Sequence, residues 1–133
     1  MKDKQITKLE TIIAVKDVAK SSKWYQDLLG LKRNHGGDNF EMLANKKGEV
    51  ILCLHRWGEH DHLTMSDPSI TIGNGLILYF RVSDLKEVWS NVVRLNLGVE
   101  KKPHLNENSG QQQFILRDLE GYYLIISEYN LNR

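Results

Sequence analysis

The densest run of side chains able to do chemistry is His55-Arg-Trp-Gly-Glu-His-Asp-His62. Closely spaced imidazoles can ligate a metal ion, yet a zinc site takes three or four protein ligands. His55, His60 and His62 have no cysteine beside them and no third donor fixed on a nearby strand. The stretch therefore reads as a solvated loop, with metal binding by these histidines as the alternative. The single cysteine, Cys53, lies in the apolar run Val50–Leu54. A reactive thiolate needs an electropositive, accessible setting; Cys53 instead reads as a small buried hydrophobe. A Gly-rich phosphate loop, a Gly-x-Ser-x-Gly elbow and a zinc-type Cys cluster are all missing. The chain carries no self-evident catalytic motif, so any site must be assembled by the fold.

The elements that would assemble it occur twice. Ile12-Ile-Ala-Val-Lys-Asp-Val18 leads into a helical stretch and then Leu29-Gly-Leu31; Tyr79-Phe-Arg-Val-Ser-Asp-Leu85 leads into another and then Leu97-Gly-Val99. Both openings are short, β-branched and apolar, and predict strands over 9–16 and 76–83. Asp17 and Asp84 follow where a helix N-cap needs a side-chain acceptor for orphan backbone N–H groups. Val18, Tyr25, Leu28 and Leu29 in the first half, and Leu85, Val88, Val92 and Leu95 in the second, supply one buried helical face. Trp24 and Trp89 fall on these helices and read as packing against a sheet. Gly30 and Gly98 stand where helices close in left-handed backbone. Three strands are expected after each helix, near 31–35, 39–45 and 49–56, and near 99–104, 111–117 and 122–128. The turn Asn45-Lys-Lys-Gly48 before the last strand of the first half matches Asp118-Leu-Glu-Gly121 in the second. The fold class is α+β: two tandem βαβββ units in a single domain, over 8–57 and 76–129, joined by a Gly-, Asp-, Pro- and Ser-bearing linker over 58–75. A ferredoxin-like βαββαβ sheet would have fewer strands after each helix.

Bulk properties narrow the function classes. The 133 residues are 41% hydrophobic and 26% charged, with a net charge of +1. That is enough chain for a real core, and it carries no clustered basic footprint for nucleic acid. No stretch approaches the roughly 20 apolar residues of a membrane-spanning helix, and the charged start Met1-Lys-Asp-Lys-Gln is not followed by a signal-type apolar run. One unpaired thiol fits a reducing compartment, so the expected location is the cytoplasm, with no nucleic-acid or membrane partner.

Val15-Lys-Asp-Val-Ala-Lys-Ser-Ser-Lys-Trp-Tyr-Gln-Asp-Leu-Leu-Gly-Leu31 resembles the opening unit of the glyoxalase/bleomycin-resistance/dioxygenase (vicinal oxygen chelate) superfamily, and Arg117-Asp-Leu-Glu-Gly-Tyr-Tyr-Leu-Ile-Ile-Ser127 resembles its closing turn and last strand. The resemblance spans residues 8 to 129. It implies a cupped mixed sheet, usually completed by homodimerisation, and in the family's enzymes a divalent metal held by one side chain from the first and last strand of each unit. Such a metal polarises a substrate oxygen. Carried onto this sequence, the four places are Glu10, Leu52, Ile77 and Ile125. One carboxylate among three aliphatic side chains does not make a divalent site, so no metal cofactor is expected.

Strand alternation then assigns faces. Glu10, Ile12, Leu52, Leu54, Ile77, Tyr79, Ile125 and Ser127 are expected to line the cup; Ile13, Val15, Ile51, Cys53, Phe80, Val82, Leu124 and Ile126 are expected to face the helices. An apolar cup with a few polar points is the ordinary character of a small-molecule site. Glu10, if buried there, would have a raised pKa and could act as general base or anchor an amine; at the strand's start it would instead be solvated. Trp57 could lid the cup. The stretch around His104 and Asn106 resembles one found in some family members before the penultimate strand, where these two would hydrogen-bond a ligand at the mouth. The expected ligand-binding set is thus Glu10, Leu52, Leu54, Trp57, Tyr79, His104, Asn106, Ile125 and Ser127. Three functions follow: a binding protein for a small organic molecule, akin to the drug-sequestering branch; a lyase, isomerase or dioxygenase with an altered metal site or metal-free chemistry at Glu10; or a degenerate domain kept for association.

Overall fold

A computed structural model describes residues 8–58 and 62–129. The first unit runs β1 (Ile12–Val15), α1 (Val18–Leu29), β2 (Lys32–Gly36), β3 (Phe40–Ala44) and β4 (Val50–Arg56). The second runs β5 (Leu78–Val82), α2 (Leu85–Arg94), β6 (Lys101–Asn106), β7 (Gln111–Arg117) and β8 (Tyr123–Glu128). The expected fold class, two tandem βαβββ units, is observed. Each unit forms its own four-stranded mixed sheet, in the orders β1-β4-β3-β2 and β5-β8-β7-β6. The first and last strands of each unit pair in parallel, because the helix carries the chain back to the start of the sheet.

Both helices start where the carboxylates require. Asp17 accepts from the Lys20 N–H at 3.0 Å and Asp84 from the Glu87 N–H at 3.1 Å. α1 ends as expected on Gly30, whose φ of 70° is a conformation that a Cβ disfavours. α2 does not end on Gly98. It stops at Leu95, and Asn96 takes the left-handed turn with φ 55°; asparagine tolerates that region better than other side chains, so the turn closes two residues before the glycine.

One core joins the units. Ile13, Val15, Leu52 and Leu54 of the first sheet meet Tyr25 and Leu28 of α1, while Leu78, Phe80, Leu124 and Ile126 of the second meet Val88 and Val92 of α2. Tyr25 also reaches across to Phe80, with ring centroids 6.0 Å apart. Trp24 packs edge-on to Tyr25, and Trp89 edge-on to Phe114 at 5.2 Å, so both tryptophans pack as expected.

The helix-facing residues correct one assignment. Leu52 and Leu54 were expected in the cup but lie in the core, while Cys53 and His55 occupy the opposite face of β4. The cause is a bulge. Leu43 pairs with Leu52 and Ala44 with Val50, leaving Ile51 as an extra residue; one extra residue moves every later side chain to the other face. β8 has no such shift, and there the expected faces hold: Leu124 and Ile126 inward to the helices, Ile125 and Ser127 away from them.

Candidate functional site

The face of the second sheet turned away from α2 gathers most of the expected site. The ladder places Tyr79 beside Ile125 and Ile115, and in the next row Arg81 beside Ser127, Gln113 and His104. Residues in register on neighbouring strands share a face. His104 and Asn106, expected at the mouth of the cup, sit on β6, half-buried, alternating with exposed Leu105. Ser127 is fully buried and Gln113 is 5% exposed, whereas Tyr79 at the rim is 42% exposed.

A chain of hydrogen bonds orients this row. The Asn108 N–H donates to Asn106 Oδ1 at 2.9 Å, which fixes the Asn106 amide. Asn106 Nδ2 then donates to Gln113 Oε1 at 3.0 Å. Gln113 Nε2 must therefore donate to His104 Nε2, 3.3 Å away. That leaves the His104 proton on Nδ1, which donates to the Lys102 carbonyl at 2.8 Å. A backbone amide thus sets a histidine tautomer three side chains away. Both imidazole nitrogens are engaged, so His104 holds Gln113 rather than presenting a base. Gln113 keeps one N–H to offer a ligand acceptor.

Sequence reasoning passed over Gln113 and Arg81. The alternation Gln111, Gln113, Ile115 against Phe114 and Leu116 would have placed Gln113 beside Ser127. Arg81 alternates with Phe80 and Val82 in the same way. Its guanidinium lies 5.7 Å above the Tyr129 ring.

The remaining expected residues lie elsewhere. Glu10 precedes β1 and is exposed, so the burial on which its acid–base role depends is not found. Trp57 follows β4 and is half-buried. Its N–H donates to the Val15 carbonyl at 3.2 Å, and it lines a cleft of about 370 Å³ with Ile12, Ala14 and Tyr122, away from the second sheet's open face. His55 is buried on β4, with the His62 ring 5.0 Å away and the Phe40 ring 6.1 Å away. His60 lies outside the described residues.

The bulge also changes the residue at the metal position on β4. Ile12 pairs with Cys53 as Tyr79 pairs with Ile125, so the counterpart of Ile125 is Cys53 rather than Leu52. The set becomes Glu10, Cys53, Ile77 and Ile125. Burial, with the Glu10 charge second, pushes the Cys53 thiol up from its ordinary value. With Ile77 and Ile125 aliphatic, only Glu10 and Cys53 carry donors, fewer than the three protein ligands a divalent site takes. Among the described residues no three His, Cys, Asp or Glu side chains are grouped to hold one. No described helix is long and apolar enough to cross a membrane.

Comparison with known proteins gives the family. No curated protein sequence matches. The solved structure of TioX from Micromonospora sp. ML1 is similar at 17% identity, over 93% of this chain and 99% of that one, with a TM-score of 0.73. A glyoxalase/bleomycin resistance protein/dioxygenase family enzyme from Burkholderia phytofirmans PsJN is similar at 17% identity over 90% and 95%, with a TM-score of 0.72. Lactoylglutathione lyase from Agrobacterium tumefaciens is similar at 18% identity over 95% and 96%, with a TM-score of 0.70. At these identities the structures share the fold and nothing finer. The profile of the Glyoxalase/Bleomycin resistance protein/Dioxygenase superfamily matches residues 6–126, nearly the whole chain, and the protein belongs to that superfamily.

Proposed function

We propose that the protein binds a small organic molecule on the open face of its second sheet, without the divalent metal of the family's enzymes. The observation that carries this reading is the oriented row Asn106–Gln113–His104 with Ser127 beside it, set against the apolar surface of Tyr79, Ile115 and Ile125. A few fixed polar groups on an apolar wall make a recognition surface. The residue types at the four metal positions support the metal-free form. Tyr79 and Ile12 are exposed on edge strands and Ile77 is exposed just before β5, and we take a second copy to cover them, as a homodimer. A single buried thiol accords with a cytoplasmic protein.

Thermal-shift screening of a broad small-molecule library tests the reading. A ligand at a hundred times its Kd adds about 2.7 kcal/mol, or roughly ten degrees in Tm for a chain of this size. Tyr79→Ala and His104→Ala should each abolish the shift. Elemental analysis should find no stoichiometric divalent metal. The absence of any stabilising compound, or a stoichiometric metal lost on Glu10→Ala, would overturn the proposal.

A further inference from the structure

The two units meet at two junctions related by the internal repeat, and only one of them is locked. In each, the β3–β4 or β7–β8 turn of one unit faces the first strand of the other. The turns are built alike: Asn45 Oδ1 accepts from the N–H groups of Lys47 and Glu49, and Asp118 Oδ1 from those of Glu120 and Tyr122. Around Asp118 three bonds lock the junction. Tyr25 Oη donates to Asp118 Oδ2 at 2.6 Å, Tyr122 Oη to the Ala14 carbonyl at 3.1 Å, and the Lys16 N–H to Glu120 Oε1 at 3.2 Å.

At the other junction the matching residues cannot make these bonds. Glu49 stands where Tyr122 does, Lys47 where Glu120 does, and Val92 where Tyr25 does. What remains is a cleft of about 510 Å³ between the Asn45–Glu49 turn and β5. Its floor is apolar, with Leu29, Ile51, Phe80 and Val88. Its rim carries Lys46, Lys47 and Arg81, none of which pairs with a carboxylate among the described residues. Two of the cleft's three carboxylates, Asp84 and Glu49, accept hydrogen bonds. Asp84 and Glu87 sit on the N-terminal turn of α2, whose free N–H groups favour negative charge, and Glu49 accepts from Asn45 Nδ2 at 3.0 Å. Tyr129, beneath Arg81, adds an aromatic wall.

We propose that this cleft is a second binding site, bordering the sheet's open face only at Arg81, and that it takes a small organic carboxylate with an aromatic or aliphatic body. The body lies on the apolar floor and the carboxylate meets Arg81, whose planar guanidinium suits bidentate pairing. It includes none of Tyr79, His104, Asn106 or Gln113, on which the reading of the second sheet's face rests.

Phenylacetate is the probe, followed by backbone amide NMR shifts of the full chain, with phenethylamine as its cationic counterpart. Phenylacetate should shift the amides of 45–49 and 81–84 at millimolar concentration and leave those of Gln113 and His104 in place; phenethylamine should shift neither set. Arg81→Gln should weaken binding at least tenfold. Glu49→Tyr, which puts the tyrosine of the locked junction into the open one, should abolish it. Shifts confined to the open face, equal binding of phenethylamine, or unchanged binding in both variants would overturn the proposal. So would no shift at all.

Discussion

At the scale of single residues, the most consequential contact is Tyr25 with Asp118. Tyr25 is fully buried, and Asp118 is 8% exposed. Burial pushes the Asp118 carboxyl up, against the opposing pull of the Tyr25 hydroxyl and the turn's N–H groups. Burial and the facing Asp118 also push the Tyr25 phenol well up, so it stays a donor at any ordinary pH. A raised carboxylate means that the folded state holds its proton longer than the unfolded chain does. That stabilisation is complete below about pH 3.9, the ordinary aspartate value. It is lost as pH rises through the raised folded value. Asp118→Asn removes the titration and keeps the turn, as Asn45 demonstrates in the first unit. The stability of the native protein minus that of Asp118→Asn should therefore fall as pH rises from 4, by up to about 1.4 kcal/mol per pH unit within the window. Urea melts of both proteins across pH 3–8 measure it; a difference that stays flat would show that Asp118 titrates normally. Tyr25→Phe strips Asp118 of its buried donor and should cost about 1–3 kcal/mol at neutral pH.

At the scale of elements, β4 shows what the sequence could reveal and where it misled. The repeat, the caps at Asp17 and Asp84 and the order of strands were all legible, because periodicity and N-cap chemistry are local. The face of β4 was not. Counting from Gly48 as from Gly121 assumes equal ladders, and the bulge at Ile51 breaks that equality through pairing with β3, which is not local. The same slip hid Cys53 and His55 behind Leu52 and Leu54 in the expected site. Between β7 and β8 no bulge intervenes, and Tyr79, Ile125 and Ser127 fall on one face as expected; His104 and Asn106 join that face from β6, beyond its own irregularity between Lys101 and His104, and no local pattern announced that Gln113 would tie these two together. Glu10 failed for another reason: the strand was expected from residue 9, but the ladder begins at Ile12. The bulge makes a prediction. Deleting Ile51 leaves the pairs Leu43–Leu52 and Ala44–Val50 intact, so it should cost only the packing of one half-buried side chain, about 1–2 kcal/mol. Inserting an alanine after Leu52 instead drives Leu54 out of the core, a loss of several kcal/mol. Circular dichroism melts should show a modest fall in Tm for the deletion and a collapse for the insertion. Equal damage would mean that the bulge itself is required.

At the scale of the molecule, the question is whether the units behave as one body. They share a core, and the Asn91 side chain of α2 donates to the Leu28 carbonyl of α1 at 2.9 Å. Together with Tyr25–Asp118 and Tyr122–Ala14, this ties each unit to the other through groups that are buried or half-buried. Losing one unit would therefore expose apolar surface and strip hydrogen bonds from its neighbour at once, and unfolding should be a single transition. The tryptophans provide the reporters, since Trp24 lies in the first unit and Trp89 in the second. In a Trp57→Phe background, replacing Trp89 by Phe leaves a probe of the first unit, and replacing Trp24 leaves a probe of the second. Within each variant, the fluorescence midpoint in urea should coincide with that of circular dichroism. Adding Tyr122→Phe, which removes the donor to Ala14 in the first unit, should lower both midpoints by the same amount. If the Trp24 midpoint moved and the Trp89 midpoint stayed, the locked junction would be a contact between two independent units rather than the seam that makes them one.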